Sequence, residues 1–345
     1  KSGFEGLGTT VLGVHALFNP DVAVSLDTPM VRVIVDDVTV GNILDAINSN
    51  SGNDPLAPFE AAGIDVVLTL RWPVDPGASG PGPDPDRIPQ GQDRVDALEQ
   101  VRWLVDATAG RLNYIQINNE PLGGPGSYVP DQFEAGMAWL AEVAETIRTL
   151  RNDNPALANL RLVSPALTGV AGLAGGSGSQ ELEQGIADIV SLAESHFDLL
   201  DIHLHVSGVD SIESQLSWLR FCSTTMPLTS LEWSQAKAAK DWLNEDAGDG
   251  SDRTNKQVVL DAYDNPMSAE DWQTFVAGAP FSPSFLSDAF TVFGNEGVEL
   301  AAYGGAWQFG KPVFDLKALF ANRTVAGNNV PNQPFHDQFL ALPRP

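Results

Sequence analysis

Cysteine is almost missing from this sequence of 345 residues. The single cysteine, Cys222, lies in the stretch LRFCSTTMP, and we expect it to be buried there as a small hydrophobic residue. One cysteine can form neither an internal disulfide bond nor a cysteine-based metal cluster. Both kinds of stabilisation are therefore excluded.

Basic residues are also scarce, with 19 Lys and Arg against 45 Asp and Glu, which gives a net charge of −26. This charge repels the phosphates of nucleic acids and of anionic membranes, so it excludes both as partners and favours a neutral ligand. There are 29 Asp against 16 Glu, and Lys supplies only 6 of the basic residues. This pattern is typical of a protein that stays hydrated in concentrated salt, although an ordinary acidic secreted protein would also fit.

Long apolar runs are absent, and no segment approaches the roughly 18 uninterrupted apolar residues of a membrane span. The apolar content of 43%, with eight Trp and sixteen Phe, is ample for a large core. The sequence starts at KSGFEGLG, with neither a Met nor an apolar signal segment. We therefore expect a secreted monomer whose signal peptide precedes this numbering.

Short β-branched or Leu-rich runs recur along the chain, and most are followed by a stretch with helical spacing. This alternation predicts βα units around a parallel sheet, and eight such runs predict a closed (β/α)8 barrel. We expect one catalytic domain over residues 1–345, with the barrel core at about 9–320 and a C-terminal tail at 321–345. The predicted strands are 9–17, 30–36, 64–72, 112–118, 160–166, 199–205, 227–233 and 298–305. The predicted helices include 93–110, 131–153, 179–196 and 212–221.

Three inserts interrupt this pattern, at 73–92, 168–180 and about 236–297. Each follows a predicted strand, so in a barrel the inserts lie at the C-terminal face, where barrel enzymes keep their active sites. The Pro- and Gly-rich composition of the first two predicts loops rather than helices.

Two carboxylates stand at the ends of predicted strands. Glu120 ends the fourth strand in NYIQINNEP, and Glu232 ends the seventh in LTSLEWSQ, three βα units later. In a barrel these two strands face each other across the mouth. The alternative is structural: Glu120 would bond loop amides in a turn, and Glu232 would pair with a basic residue at the rim.

Two carboxyl groups in one cleft are what the hydrolysis of a glycosidic bond requires. One protonates the leaving oxygen, and the other attacks the anomeric carbon and must stay ionised. Arg32, on the second strand, is a candidate cation beside Glu232. Asn119 can hydrogen-bond a sugar hydroxyl next to the reacting centre.

With these residues the chain resembles the clan A retaining glycoside hydrolases, (β/α)8 barrels with Asn-Glu at the end of strand four and Glu at the end of strand seven. The resemblance implies that Glu120 is the acid/base, Glu232 the nucleophile and Asn119 the contact to the sugar 2-hydroxyl. It implies further that Arg32 lies near the nucleophile. Trp307 loosely matches the aromatic residue that forms the floor of the sugar-binding site in this family.

The sixth strand departs from the family, which often has a His followed two residues later by a Tyr that bonds the nucleophile. Here the pair is His203 and His205, so His205, Tyr303 or Tyr128 could supply the missing contact. The two histidines point the same way along a strand, and with Glu232 they could instead form a metal site, as in a metal-dependent barrel hydrolase. The favoured roles are a sugar contact for His203 and a hydrogen bond within the site for His205.

Tryptophan rings stack on the apolar faces of sugars, so the tryptophans at strand ends are the candidate platforms. These are Trp72, Trp233 and Trp307, whereas Trp103, Trp139 and Trp218 lie in predicted helices and are expected in the core. Trp242 and Trp272, in the third insert, fit a lid and a packing role equally.

We therefore expect a retaining hydrolase without a cofactor. On the resemblance alone its substrate is a β-linked oligo- or polysaccharide, with β-glucan or β-mannan ahead of xylan. Retention predicts a separation of about 5–5.5 Å between the two carboxyl groups. A carbohydrate-binding barrel that has lost activity is a further alternative.

Overall fold

The structure is a computed structural model that describes most of the chain. The described residues are 11–15, 24, 27–35, 43, 47, 54–70, 88–122, 132–222, 225–248, 250, 252–265, 267–278, 282, 284–303, 322–324, 329–331, 338 and 340–342. Trp72, Trp307 and Tyr128 lie outside them, as do the side chains of Cys222 and Trp272.

Each of the eight runs predicted to be a strand contains one. The strands are β1 (Val11–His15), β2 (Met30–Val35), β3 (Asp65–Leu70), β4 (Tyr114–Ile117), β5 (Arg161–Val163), β6 (Leu200–Asp201), β7 (Leu204–His205), β8 (Leu228–Ser234), β9 (Val298–Tyr303), β10 (Asn322–Thr324) and β11 (Asn329–Pro331). The sixth predicted run is divided into β6 and β7. The pair β10 and β11, in the predicted tail, is antiparallel.

Helices follow most of the strands, as predicted. They are α1 (Ala57–Ala62), α2 (Gly91–Ala107), α3 (Phe133–Asp153), α4 (Val170–Ala174), α5 (Gln180–His196), α6 (Val209–Cys222), α7 (Ala236–Leu243), α8 (Asn255–Asp264), α9 (Ala269–Ala277) and α10 (Phe285–Asn295). The third insert thus consists largely of helices.

Local chemistry explains several helix boundaries. The Ser179 hydroxyl accepts a hydrogen bond from the Leu182 N–H and caps α5, and Thr254 and Gln257 form a capping box on α8. Helix α2 was predicted to run to Gly110 but ends at Ala107, and Gly110 adopts a φ of +77° in the turn that follows. The prediction of a loop over 168–180 was wrong at α4, where the apolar residues of VAGLA form a short helix between Gly169 and Gly175.

The chain folds into two compact units. Unit I comprises Lys1–Pro29, Leu204–Leu216 and Ser230–Pro345, and unit II comprises Met30–His203 and Ser217–Thr229. The expectation of a single catalytic domain over residues 1–345 stays a prediction.

Unit II is built on parallel strands. β2, β3, β4 and β5 pair in sequence order, and β6 pairs with the start of β8 through Leu200 and Leu228. These strands are buried on both faces, as parallel strands covered by helices are. Several of them nevertheless carry a buried polar residue.

Unit I pairs β1 with β9, and β7 with the end of β8, again in parallel. Its core includes Trp233, whose ring packs edge-on against Phe293 and Tyr303 and tilted against Phe285. Within the described residues, no helix is both long and apolar enough to cross a membrane.

Candidate active site

Strand β4 ends where the backbone turns sharply at Asn118. This residue has a φ of +67°, in the left-handed region that asparagine tolerates better than most residues with a side chain. Its N–H donates to the Leu70 carbonyl at 2.6 Å, and its Oδ1 accepts a hydrogen bond from the Asn119 N–H at 2.7 Å. Strand β4 therefore ends at Ile117, and Asn119 and Glu120 follow the turn.

Glu120, which follows this turn, is only 7% exposed and contacts a histidine of the same unit. Its Oε1 lies 2.7 Å from Nδ1 of His203, whose other ring nitrogen, Nε2, lies 3.2 Å from Oδ2 of Asp201. One proton can sit between Glu120 and His203 in two ways, on the carboxyl group or on the imidazole. Carboxyl and imidazole groups are among the side chains that most often serve as general acids and bases.

Arg32, on β2, is fully buried and donates hydrogen bonds to three side chains of unit II. Its Nη2 donates to Oδ1 of Asn119 at 2.6 Å and to Oε1 of Gln116 at 2.9 Å, and its Nε donates to Oγ1 of Thr69 at 3.0 Å. The expected position of Arg32 beside Glu232 stays a prediction. Its contact with Asn119 links it to the end of β4.

Burial governs the ionisation of this guanidinium. It lowers the pKa of Arg32 to about 10, because the charged form loses its hydration, while the charges of Asp201 and Glu120 act in the opposite direction. Arg32 therefore remains a cation at neutral pH. It supplies a fixed positive charge to the part of the unit that holds Glu120.

Glu232 lies on β8 in unit I and is buried. Its Oε1 is 3.6 Å from Nε2 of His205, and Nδ1 of His205 is 3.2 Å from the Ser234 hydroxyl oxygen. His205 is half-buried on β7, whose register pairs it with Ser234. Of the three residues considered as the contact to Glu232, His205 thus lies close to it, and Tyr128 is outside the described residues.

The burial of two tryptophans differs from what the sequence predicted. Trp233 was expected to be a stacking platform, but its ring is fully buried against three aromatic rings of unit I, so no face is open to a sugar. Trp103 was expected in the core, yet it is 54% exposed. The buried stripe of α2 contains Leu98, Val101 and Val105, and Trp103 lies on the opposite side of the helix.

Trp139, Trp218, Trp242 and Tyr303 are buried or half-buried. Trp139 is buried with the Arg94 guanidinium 5.0 Å from its ring centroid, as expected of a core residue, while Trp218 is half-buried. Trp242 is buried with its ring 5.2 Å from that of Phe275, which favours packing over a lid role. Tyr303 is also fully buried, and burial raises the pKa of its hydroxyl far above the usual value although the Gln235 backbone opposes this.

A metal would compete with contacts that already exist. Nδ1 of His203 is engaged with Glu120, so a cation that used this atom would have to break that hydrogen bond. Glu120 and His203 could nevertheless each offer one ligand atom to a cation.

Four polar residues of unit II that hold this site together were not predicted from the sequence. Gln116 joins Arg32 to Asp201, Thr69 supports Gln116, and Asn118 forms the turn before Asn119. The sequence does contain a signal for such residues, namely a lone polar residue inside an apolar strand. If both faces of that strand are covered, the polar side chain must be buried and needs a hydrogen-bond partner.

No protein-family model and no curated protein sequence matches this chain. Its structure is similar to a family 39 glycoside hydrolase from the gut symbiont Bacteroides cellulosilyticus WH2, with a TM-score of 0.57 and 11% identity. That alignment covers 97% of this chain and 63% of the Bacteroides chain, so this chain spans less than two thirds of its length.

Two further structures are similar over 97% of this chain. One is a double mutant of an endo-β-1,4-mannanase from Cellulomonas fimi, with a TM-score of 0.52 and 10% identity over 71% of that chain. The other is a GH86 protein solved in complex with neoagarooctaose, with a TM-score of 0.52 and 11% identity over 60% of that chain. These likenesses concern the fold: the chain has the fold of the TIM-barrel glycoside hydrolases, which confirms the predicted (β/α)8 barrel.

Proposed function

We propose that the protein is a retaining glycoside hydrolase in which Glu120 is the acid/base and Glu232 the nucleophile. Glu120 protonates the glycosidic oxygen while a Glu232 oxygen attacks the anomeric carbon, so the leaving sugar departs as an alcohol and a glycosyl-enzyme forms. Glu120, now ionised, takes a proton from water. That water attacks the anomeric carbon and releases Glu232, with net retention.

The contact between Glu120 and His203 is the observation that carries this proposal. The carboxyl group is buried, at the end of a parallel strand, and lies 2.7 Å from an imidazole nitrogen with which it can share a proton. A turn residue that only bonds loop amides would have no need of such a partner. The contact therefore supports the acid/base role over the structural alternative.

The surroundings of Glu232 support its role as the nucleophile. Nε2 of His205 lies 3.6 Å from Oε1 of Glu232, so the carboxylate has a polar neighbour just beyond hydrogen-bond distance. The Ser234 hydroxyl contacts the other nitrogen of His205 and helps to hold the ring in place.

For the substrate we propose a β-linked polysaccharide, with β-glucan and β-mannan first. A neutral polymer fits the net charge of −26, which repels anionic ligands. The fold is one that glycan-cleaving enzymes use.

The test combines a substrate panel with a distinction between the two carboxylates. Release of reducing sugar is measured from β-glucans, mannans, xylans and arabinans for the parent, Glu120→Ala, Glu232→Ala and the control Glu99→Ala, which removes an exposed carboxylate from α2. Both site variants should lose at least about 100-fold of the activity, since acid/base catalysis alone contributes 10²–10⁴-fold. The control should keep it.

Azide then separates the roles on an activated aryl β-glycoside. With Glu232→Ala, azide should replace the nucleophile and give the α-glycosyl azide, whereas with Glu120→Ala it should attack the glycosyl-enzyme and give the β-glycosyl azide. Activity that survives both substitutions would refute the proposal. Loss of activity to a chelator would instead indicate a metal-dependent hydrolase, and binding to one polymer without hydrolysis by the parent would indicate a carbohydrate-binding barrel.

A further inference from the structure

Five strands of unit II each contribute one buried polar side chain to a connected layer, which we call the polar layer. Its members are Arg32 on β2, Thr69 on β3, Gln116 on β4, Asp201 on β6 and Thr229 on β8. The register makes Thr69 the partner of Gln116 and Asp201 the partner of Thr229. The layer is thus built into the strand pairing.

Gln116 lies at the centre of this layer, and its neighbours fix the orientation of its amide. Oε1 accepts from Arg32 at 2.9 Å and from the Thr69 hydroxyl at 2.8 Å, while Nε2 donates to Asp201 Oδ2 at 2.5 Å. A guanidinium can only donate and an ionised carboxylate can only accept. Turning the amide over would therefore set N–H against the guanidinium and oxygen against the carboxylate.

The same logic extends to Asn119. Arg32 Nη2 donates to Asn119 Oδ1 at 2.6 Å, so this oxygen faces the guanidinium and the amide nitrogen, Nδ2, faces away from it. A carboxamide held in this way offers N–H donors to a ligand on its far side. The direction of donation thus runs from Gln116 to Asp201, and from Arg32 to both Gln116 and Asn119.

We infer that Gln116 and Asp201 are positioning residues: they fix the Arg32 guanidinium, which in turn fixes the Asn119 amide so that it donates to the sugar 2-hydroxyl. This inference rests on the proposed function, in which Asn119 makes that contact. Neither positioning residue is assigned a contact with the substrate. Gln116 should act on how well the 2-hydroxyl is recognised, whereas Asp201 also lies 3.2 Å from Nε2 of His203.

The experiment compares kcat/KM for matched aryl β-glycosides that carry or lack the 2-hydroxyl group. The parent should prefer the 2-hydroxyl substrate on the order of 100-fold, because hydrogen bonds to this group strengthen in the transition state. Asn119→Ala calibrates the assay by removing most of this preference. Gln116→Leu should reduce it at least about tenfold while kcat/KM for the 2-deoxy substrate changes less than about threefold.

Gln184→Leu is the matched control, because it makes the same substitution at an exposed glutamine of α5. It leaves the polar layer intact, so the preference should stay within about twofold of the parent. A crystal structure of Gln116→Leu gives a second readout that is independent of activity. The distance from Arg32 Nη2 to Asn119 Oδ1 should lengthen beyond about 3.5 Å, where the hydrogen bond is lost.

The two readouts separate this inference from the proposed function. Suppose that the parent hydrolyses glycosides, but Gln116→Leu lowers kcat/KM equally for both substrates and leaves the distance from Arg32 Nη2 to Asn119 Oδ1 unchanged. The inference then fails while the proposed function stands. If the parent hydrolyses none, the proposed function fails, and the crystal distance alone decides whether Gln116 positions Asn119. An unchanged distance then overturns the inference, and a lengthened one supports it.

Discussion

Replacing Arg32 by Met tests how the polar layer balances its charges. Arg32 is fully buried and donates to Thr69, Gln116 and Asn119, and its charge opposes those of Asp201 and Glu120. The substitution removes the cation and leaves the buried Asp201 carboxylate without its counter-charge. Asn119 Oδ1 also loses its donor.

We expect Arg32→Met to lower the free energy of unfolding by about 3–5 kcal/mol, the cost of leaving one member of a buried charge pair uncompensated. This is a large share of the roughly 5–15 kcal/mol that stabilises a typical domain. Adding Asp201→Asn removes the orphaned charge, so the double variant should be less destabilised than the sum of the two single variants by about 1–3 kcal/mol.

The free energies are measured at pH 7 by urea unfolding, with circular dichroism following the backbone. A loss below about 1 kcal/mol for Arg32→Met would refute the reasoning, because it would mean that the guanidinium contributes no more than a surface residue does. Strict additivity in the double variant would refute the coupling between Arg32 and Asp201.

Three further predictions concern the rest of the chain. Burial raises the pKa of Tyr303, so above pH 10 the unfolded state loses a proton that the folded state keeps, and stability should fall by up to about 1.4 kcal/mol per pH unit. Tyr303→Phe should remove this part of the loss when urea unfolding is compared at pH 8 and pH 11, and an unchanged slope would contradict it. Trp233→Ala should cost about 3–5 kcal/mol, whereas Trp103→Ala should cost less than about 1 kcal/mol, and equal urea midpoints would contradict the assigned burial. Raising NaCl from 0.1 to 1 M shortens the Debye length from about 10 to 3 Å and screens the net charge of −26, so the urea midpoint should rise. A falling midpoint would count against adaptation to salt.

The sequence predicted the strands well because a strand depends on a local pattern, whereas the roles of the two carboxylates stay predictions. A buried parallel strand needs a short apolar run, and each of the eight runs contains a strand. Glu120 and Glu232 were singled out because a carboxylate at the end of such a run is unusual. Their separation in space, which decides between retention and inversion, stays a prediction.

Other features depend on contacts between distant parts of the chain, and sequence patterns do not carry these. Gln116 and Asp201 are 85 residues apart in the sequence. Taken alone, each is only a polar residue in an otherwise apolar strand, and the sequence does not show that the two are hydrogen-bonded. Trp103 and Trp233 were misassigned for a related reason. The side of a helix or strand that a ring occupies depends on which neighbour covers it.

We expect the polar layer to lower stability relative to an apolar one, and such a cost would be an argument for its function. Five polar side chains stand where other residues of the same strands are apolar, and a buried charge pair is often no more stable than apolar residues of similar volume. We therefore expect the triple variant Arg32→Met, Gln116→Leu and Asp201→Leu to recover most of the stability that Arg32→Met alone loses. Hydrolysis of the 2-hydroxyl substrate should nevertheless stay at least about 100-fold below that of the parent, because Asn119 has lost its orienting donor. A triple variant less stable than Arg32→Met alone would show instead that the layer is kept for folding.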